Sequence, residues 1–424
     1  RHLLNIEMPW VVTTAGMTWV GIRIDAQRRD AALAEIQNTG RPLQQTCKSY
    51  GLNNVLSSDE MKAFFAKHGL LQHFEKNGKH VFDRDTLEKH VRRHPAIRTI
   101  MNLRHLRDLA AEKVMTDEYV GSDGRIHPQY IQLGSETGRQ TSRFPNVMGL
   151  DKRLRFLVVP DPGYGIGEAD WCQIETGIAG AIYGDERLIE MYNTGDVYSA
   201  MAQLYYKDKI SAADGALSGE EFKHKHPDKR KEMKQCTLAM LYGITPKGLS
   251  VLLQIHPIQA AAVQRQFLEM FPQLVRGLKR ETMEAGYRGF AQAINSVRRY
   301  RARQDSPSTW EKNWFTNHPV QGTAAVIFKS AGNRLHKLFK AYEGRLIIPI
   351  HDSFVFEVPM GLIQEVAVLT SSVMIQSVQE VFPELKPKVE VNMANPSCWN
   401  KEGNAGLFYD WLTEVQNEEG ITRS

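Results

Sequence analysis

Four cysteines, Cys47, Cys172, Cys236 and Cys398, are scattered along 424 residues with no C-x-x-C pair. That spacing offers neither a zinc ligand set nor a disulfide framework, and it suits a reducing compartment. No apolar run reaches the roughly 18 residues that a membrane span needs, and no charged-then-apolar leader opens the chain. Internal repeats and low-complexity tracts are missing as well, so solenoid and fibrous architectures drop out. Charge of one sign is in only slight excess: 53 Lys and Arg stand against 48 Asp and Glu, a net +5 that permits a polyanionic partner without requiring one. What remains is 42 % hydrophobic and 24 % charged, the composition of a globular protein. Its length suggests about three folding units. A cytoplasmic, non-secreted protein is expected, and the start at Arg1 rather than Met suggests a fragment with something missing upstream.

Charge is unevenly placed. Residues 223–234, KHKHPDKRKEMK, are dense in Lys and Arg against Asp228 and Glu232, and residues 298–303, RRYRAR, hold four Arg in six positions. A solvated face and a polyanion contact are equally good readings of such runs.

Along the chain, Ile22 and Ile24 in GIRID alternate with Arg23 and Asp25 like a short strand or turn before a helix. Residues 26–118 read mainly helical, with polar breaks at GLNNVLSSDE and EKNGKH. Between 119 and 170 short apolar runs separated by Gly and Pro (SDGRIHPQYIQL, TGRQTSRFPN, RLRFLVVPDPGY, GIGEAD) mark the start of a sheet. Residues 185–285 are helical again, with Pro227 and Asp228 suited to open a helix and Gly243 to end it. LIIPIHDSFVFEVP at 346–359 predicts a β-hairpin turning at His351–Asp352, followed by a helix over about 361–381. Sheet segments interrupted by a helical insertion imply one sheet-bearing core with helical lobes.

Asp170 and Asp352 each stand at the tip of an apolar β element. Either one alone reads as a turn or cap residue. If their strands are neighbours the carboxylates converge, and converging acids need cations. Such oxygen-rich sites suit Mg²⁺, which takes one or two carboxylates and leaves its other positions to water and phosphates. At 100° per residue, Arg230, Lys234, Leu238 and Tyr242 fall at about 0°, 40°, 80° and 120°, a stripe about 18 Å long with cations at one end and a ring at the other. A nucleoside triphosphate fits along it. The plain alternative is an amphipathic helix whose cations face water and whose Tyr242 lies in a core.

DWCQIE at 170–175, RKEMKQCTLAMLYG at 230–243 and IHDSFVFE at 350–357 resemble motifs A, B and C of family A DNA polymerases, the bacterial DNA polymerase I type, in order and spacing. IEMP at 6–9, GIRID at 21–25, TGR at 137–139, PN at 145–146 and NHPVQGTAA at 317–325 are similar to further segments of that family. The matches run from about residue 6 to Trp399. The resemblance implies an α+β, right-hand polymerase fold with a split antiparallel-sheet palm, helical fingers and helical thumb. Its divisions are a lead-in to the thumb at 1–19, thumb at 20–118, first palm part at 119–195, fingers at 196–316 and second palm part at 317–424. It implies a DNA-directed DNA polymerase with no proofreading exonuclease in this chain, serving replication and repair.

Residue by residue, the resemblance implies that Asp170, Asp352 and the Trp171 carbonyl bind two Mg²⁺ ions, for which Mn²⁺ can substitute. Lys234 joins the two acids in catalysis. Arg230, Lys234, Leu238, Tyr242, Glu175 and Tyr198 bind the nucleotide, Glu175 as a gate against a ribose 2′-hydroxyl. Arg139, Asn146, Asn317, Gln321 and His351 contact DNA. Primer–template DNA and deoxynucleoside triphosphates are the implied partners of a monomer that meets no membrane, with room for a helicase, primase or exonuclease module. Three departures stand out: Leu238 replaces the usual aromatic residue, as in polymerases of some bacterial viruses; Tyr198 replaces a His; and Ser353 replaces the acid after the motif C Asp. A metal-dependent nuclease is a rival that needs the same acids but leaves the Arg230–Tyr242 stripe idle. A non-catalytic DNA-binding protein on the same fold is a second rival, which leaves the acids idle.

Overall fold

GIGEAD extends into a strand, β1 (Tyr164–Trp171), running one residue past Asp170. The runs flanking His351–Asp352 form the expected hairpin of β2 (Arg345–Ile350) and β3 (Ser353–Pro359), in which Ile350 pairs with Ser353 and Pro349 with Phe354. With β4 (Val389–Asn392) they make a four-stranded sheet in the order β2-β3-β1-β4. β4 is antiparallel to β1, with Glu390 opposite Asp170. Side chains alternate across a strand, so Ala169 and Trp171 share one face of β1 while Glu168 and Asp170 share the other.

The computed structural model describes residues 1–302, 305–393, 396–400 and 405–421. It divides into two units, the first comprising Arg1–Val20, Tyr130–Ser142 and Gly167–Asn392 and the second Gly21–Gln129, Arg143–Ile166 and Met393–Ser424. In the first unit lie α1 (Met8–Val20), α2 (Ile174–Tyr183), α3 (Val197–Tyr205), α4 (Pro227–Leu241), the 33-residue α5 (Thr309–Ala341) and α6 (Ile363–Gln379). The Trp171 face of the sheet is covered by rings: Phe328 of α5 stacks on Phe354 at 4.1 Å, and Trp10 of α1 meets Phe328 edge-on at 5.8 Å. Gly332 makes this approach possible, since a Cβ there would lie 2.4 Å from the Trp10 ring. Beneath the rings, Lys329 donates to both carboxylate oxygens of Glu7 at 2.9 Å, a buried ion pair between α5 and the N-terminal segment. Met360–Gln379 is, among the described residues, a stretch long and apolar enough to cross a membrane. Here its Ile363, Val366, Met374 and Val378 are buried, and the Met374 carbonyl accepts a hydrogen bond from the Trp171 indole.

The second unit is mainly helical. Ala26–Ser49 packs on Pro95–Ala110, their first turns capped by Asp25 and His94. Gly406–Glu418 joins them, with Gln416 donating to Thr39 at 2.9 Å. Lys152–Leu157, expected with the sheet from its apolar run, instead forms a 3₁₀ turn capped by Asp151. Its Leu154, Phe156 and Leu157 are buried. Three apolar residues fill one side of a turn as readily as one face of a strand.

Candidate functional site

Trp171 N–H donates to the Asp352 carbonyl at 3.3 Å, so the ends of β1 and β3 lie side by side and bring Asp170 and Asp352 to one rim of the sheet. The turn that delivers Asp352 places His351 at φ 48° and leaves it exposed. Burial and then the negative charge of Glu175 raise the Asp352 carboxyl above the usual range, while Arg139 and Lys234 pull it back. Those effects put Glu175, Arg139 and Lys234, from three different elements, in the electrostatic surroundings of one acid.

Glu175 stands in the first turn of α2. It accepts hydrogen bonds from the Tyr242 hydroxyl and from the Arg139 guanidinium. Tyr242 lies one residue past the end of α4, where the helix stops ahead of Gly243 at φ +76°. Tyr242 is the C-cap of α4, and its N–H donates to the Leu238 carbonyl at 3.0 Å, so it follows Leu238 by one helical hydrogen bond. Burial and Glu175 raise the Tyr242 hydroxyl, so it stays a donor, and the Gln321 side chain on α5 is a second hydrogen-bond partner. One turn earlier on α5, Asn317 holds a buried Oδ1 with no hydrogen-bond partner. Arg139 follows Gly138 (φ +81°) in a tight loop where Ser135 N–H donates to the Arg139 carbonyl at 3.1 Å.

On α4, Met233, Cys236, Thr237, Met240 and Leu241 are buried, which turns Arg230, Lys234 and half-buried Leu238 to the more open side. Arg230 is paired with Asp196, whose carboxylate also accepts from Tyr198 N at 3.0 Å to cap α3. Arg230 and Lys234 both lie over the Tyr198 ring, 5.5 and 5.9 Å from its centre. The Tyr198 hydroxyl, pushed up to about 12 chiefly by burial, pairs with Thr176 at 3.3 Å. Tyr198 thus offers these cations the face of its ring rather than its hydroxyl.

The remaining positions behave differently. Asn146 belongs to the second unit, where its side chain accepts from Gly149 N at 3.3 Å to cap a 3₁₀ turn. In the basic run 298–303, Arg299 lies over Trp314 and pairs with Glu136, and Arg301 pairs with Glu311 at 2.8 Å. Arg301 holds the Glu311 carboxyl down to about 2. These two arginines are structural partners rather than a solvated face, and Arg303 lies outside the described residues. Two residues beside these groups were not singled out from the sequence: Asp196, and Glu168, which is buried and accepts from the Ser353 hydroxyl at 3.1 Å.

The sequence profile of DNA polymerase family A matches residues 28–401. The chain belongs to that family. It is 27 % identical to the thermostable DNA polymerase I of Thermus aquaticus over 428 residues, covering 96 % of this chain and 48 % of that protein. It is 27 % identical to the DNA polymerase I of Chloroflexus aurantiacus over 425 residues, covering 94 % and 43 %. The chain thus spans about half the length of these curated relatives. Among solved structures, the POL domain of Pol1 from M. smegmatis, in complex with DNA primer-template and dNTP, matches with a TM-score of 0.80 and 25 % identity over 92 % of this chain and 69 % of that one. The α+β architecture described above is therefore that of a family A polymerase domain.

Members of this family depend on divalent metal, and the donor set here fits such an ion. Two carboxylates on adjacent strand ends are the donors that a cation keeping water and phosphate ligands takes up. Among the described residues no group of three or more His, Cys, Asp or Glu closes into a cage of the kind that suits a structural metal.

Proposed function

We propose that the chain is a DNA-directed DNA polymerase, a nucleotidyltransferase that adds deoxynucleotides to a primer 3′ end. The observation that carries the reading is the Trp171–Asp352 hydrogen bond that sets the strand end bearing Asp170 beside Asp352, with Lys234, Arg139 and the Tyr242-bonded Glu175 all acting on the Asp352 carboxyl. A nuclease needs the acids alone, whereas this site adds a cationic helix face and a tethered acid beside an aromatic ring.

In this reading Asp170, Asp352 and the Trp171 carbonyl hold two Mg²⁺ ions, or Mn²⁺ in their place. Bound there, such ions lower the pKa of the attacking hydroxyl and neutralise charge on the phosphates. The primer 3′-oxygen bonds to the α-phosphorus, the bond to the β-phosphate bridging oxygen breaks, and the hydroxyl proton leaves to water. Arg230 and Lys234 bind the triphosphate, and Lys234, which is exposed, gives a proton to the departing pyrophosphate. Leu238 and Tyr198 border the nucleotide, and Tyr242 backs the templating base pair. Glu175 fills the space that a ribose 2′-hydroxyl needs. Arg139 and Gln321, with Asn317 and Asn146, touch primer–template in the minor groove, where A·T and G·C present similar acceptors and geometry is checked without reading sequence, and His351 is a further DNA contact. Residues 20–118 serve as thumb, 119–195 and 317–424 as palm and 196–316 as fingers of a cytoplasmic monomer.

Primer extension with Mg²⁺ and four deoxynucleotides tests the proposal. Stepwise lengthening is expected. Shortening of the primer, or binding of the duplex with no change in its length, would refute it.

A further inference from the structure

The geometry points to Glu168 as a third carboxylate of this site, a positioning residue that supplies from the motif A strand the negative charge that Ser353 does not supply from the motif C strand. The inference rests on the polymerase reading and deepens it. Glu168 and Asp170 are two residues apart in β1, so they share the face of the sheet opposite Trp171. Ser353 is the residue directly after Asp352, and its hydroxyl lies 3.1 Å from Glu168 Oε1 and 3.2 Å from the Ile350 carbonyl. Glu168 is therefore one strand step from the first catalytic acid and one hydrogen bond from the neighbour of the second.

The position is unusual for a glutamate. β1 is otherwise Tyr, Gly, Ile, Gly, Ala, Asp and Trp, and Glu168 is only 7 % exposed in it. Placing a carboxylate in the interior of a sheet is costly unless charge or hydrogen bonds compensate it. An acid is commonly found after the motif C Asp in this family, and here a serine takes that place. The serine points its hydroxyl at an acid arriving from the adjacent strand, so the charge is kept and its strand of origin is exchanged. In such a site an outer carboxylate orients the inner ligands and the waters around a cation. Ser353 in turn donates a hydrogen bond to the Glu168 carboxylate.

Four proteins test this: the unaltered chain, Glu168→Gln, Ser353→Glu, and the exchange variant carrying both changes. Glutamine keeps the shape and the bond from Ser353 while removing the charge. Two readouts are taken on the full chain with primer–template bound: single-nucleotide insertion as a function of Mg²⁺, and Mn²⁺ affinity from the electron paramagnetic resonance signal of free Mn²⁺. Glu168→Gln is expected to weaken Mn²⁺ binding and to lower insertion at fixed Mg²⁺ by roughly tenfold or more. The exchange variant should recover both to within about threefold of the unaltered chain, because it returns one carboxylate to the same place. Melting temperatures separate this from a folding defect. Unchanged Mn²⁺ affinity and insertion in Glu168→Gln would overturn the inference, and so would a loss that the exchange variant fails to restore. Failure of the unaltered chain to extend a primer would instead remove the polymerase reading and leave the Mn²⁺ titration to judge Glu168.

Discussion

The tethering of Glu175 allows its selectivity to be worked out from bonds. In the proposed role of Glu175, a ribonucleotide enters only when its 2′-hydroxyl pushes the carboxylate aside, which breaks the hydrogen bonds it accepts from Tyr242 and Arg139. A hydrogen bond to a charged group contributes ~1.5–3 kcal/mol, so two resist displacement with ~3–6 kcal/mol. The Arg139–Glu175 side chains are 29 % and 19 % exposed, so solvent screens part of that pair and the lower half of the range applies. At about 1.4 kcal/mol per factor of ten, discrimination against ribonucleotides is then about 10²–10³-fold. Glu175→Ala should abolish nearly all of it. Tyr242→Phe keeps the ring and removes one tether, so it should lower the deoxy-to-ribo ratio of kcat/KM by about tenfold or somewhat more. Because burial and Glu175 hold the Tyr242 hydroxyl protonated, that part should not vary with pH through the neutral range. Single-nucleotide insertion of each nucleotide type on one primer–template gives the ratio. An unchanged ratio in both variants would refute the reasoning, as would a loss in Glu175→Ala that falls equally on ribo- and deoxynucleotides.

Asp170→Ala or Asp352→Ala should abolish incorporation while primer–template affinity, measured by fluorescence anisotropy, changes by only about threefold, since duplex is held mainly through phosphates elsewhere. Leu238→Phe should fold with an unchanged melting temperature and insert nucleotides faster in a burst assay, because position 238 is half-buried on the open side of α4 and can accept a ring. Lys329→Met removes one partner of the buried Glu7 and leaves His2 and Gln132, so urea unfolding should show a loss below the roughly 3–5 kcal/mol of an uncompensated buried charge, and adding Glu7→Gln should return part of it. In the second unit, burial and then Arg153 push His105 down to about 4 from an ordinary 6.5. The unfolded chain therefore takes up the proton first, and stability present above pH 6.5 is lost as pH falls towards 4, by at most about 3 kcal/mol. Urea midpoints at pH 7 and pH 5 should differ less in His105→Gln than in the unaltered chain.

What could be read from the sequence was local or repeated in pattern. The hairpin at His351–Asp352, the opening of α4 at Pro227 and the helices of residues 26–118 follow from alternation, proline and caps, each decided within a few residues. The run Lys152–Leu157 failed because an apolar triplet does not say which period it obeys. β4 escaped because VEVN is short, follows prolines and gains its order only by pairing with β1. Arg299 and Arg301 looked like free charge because Glu136 and Glu311, which neutralise them, are distant in sequence or on another element.

The site shows the same division at a finer scale. Asp170, Asp352, Arg230 and Lys234 stand in segments that resemble family motifs in order and spacing, so a reading of their chemistry was available before any geometry. What holds those groups was not. Tyr242 reaches Glu175 across 67 residues of sequence, a contact that helix-wheel arithmetic on α4 alone does not show. Tyr198 could be recognised as a substitute by its position, but its use of the ring for two cations and of its hydroxyl for Thr176 depends on how α2, α3 and α4 pack. Glu168 is the sharpest instance. Two residues before Asp170 in a strand is a site-facing position by alternation alone, and a buried acid there calls for a partner, yet only the hydrogen bond from Ser353 ties that acid to the gap left beside Asp352. A departure from a motif on one strand is therefore to be read together with the residues its neighbour strand presents on the same face, because a sheet lets a charge change strands while staying within a few ångströms of the same chemistry.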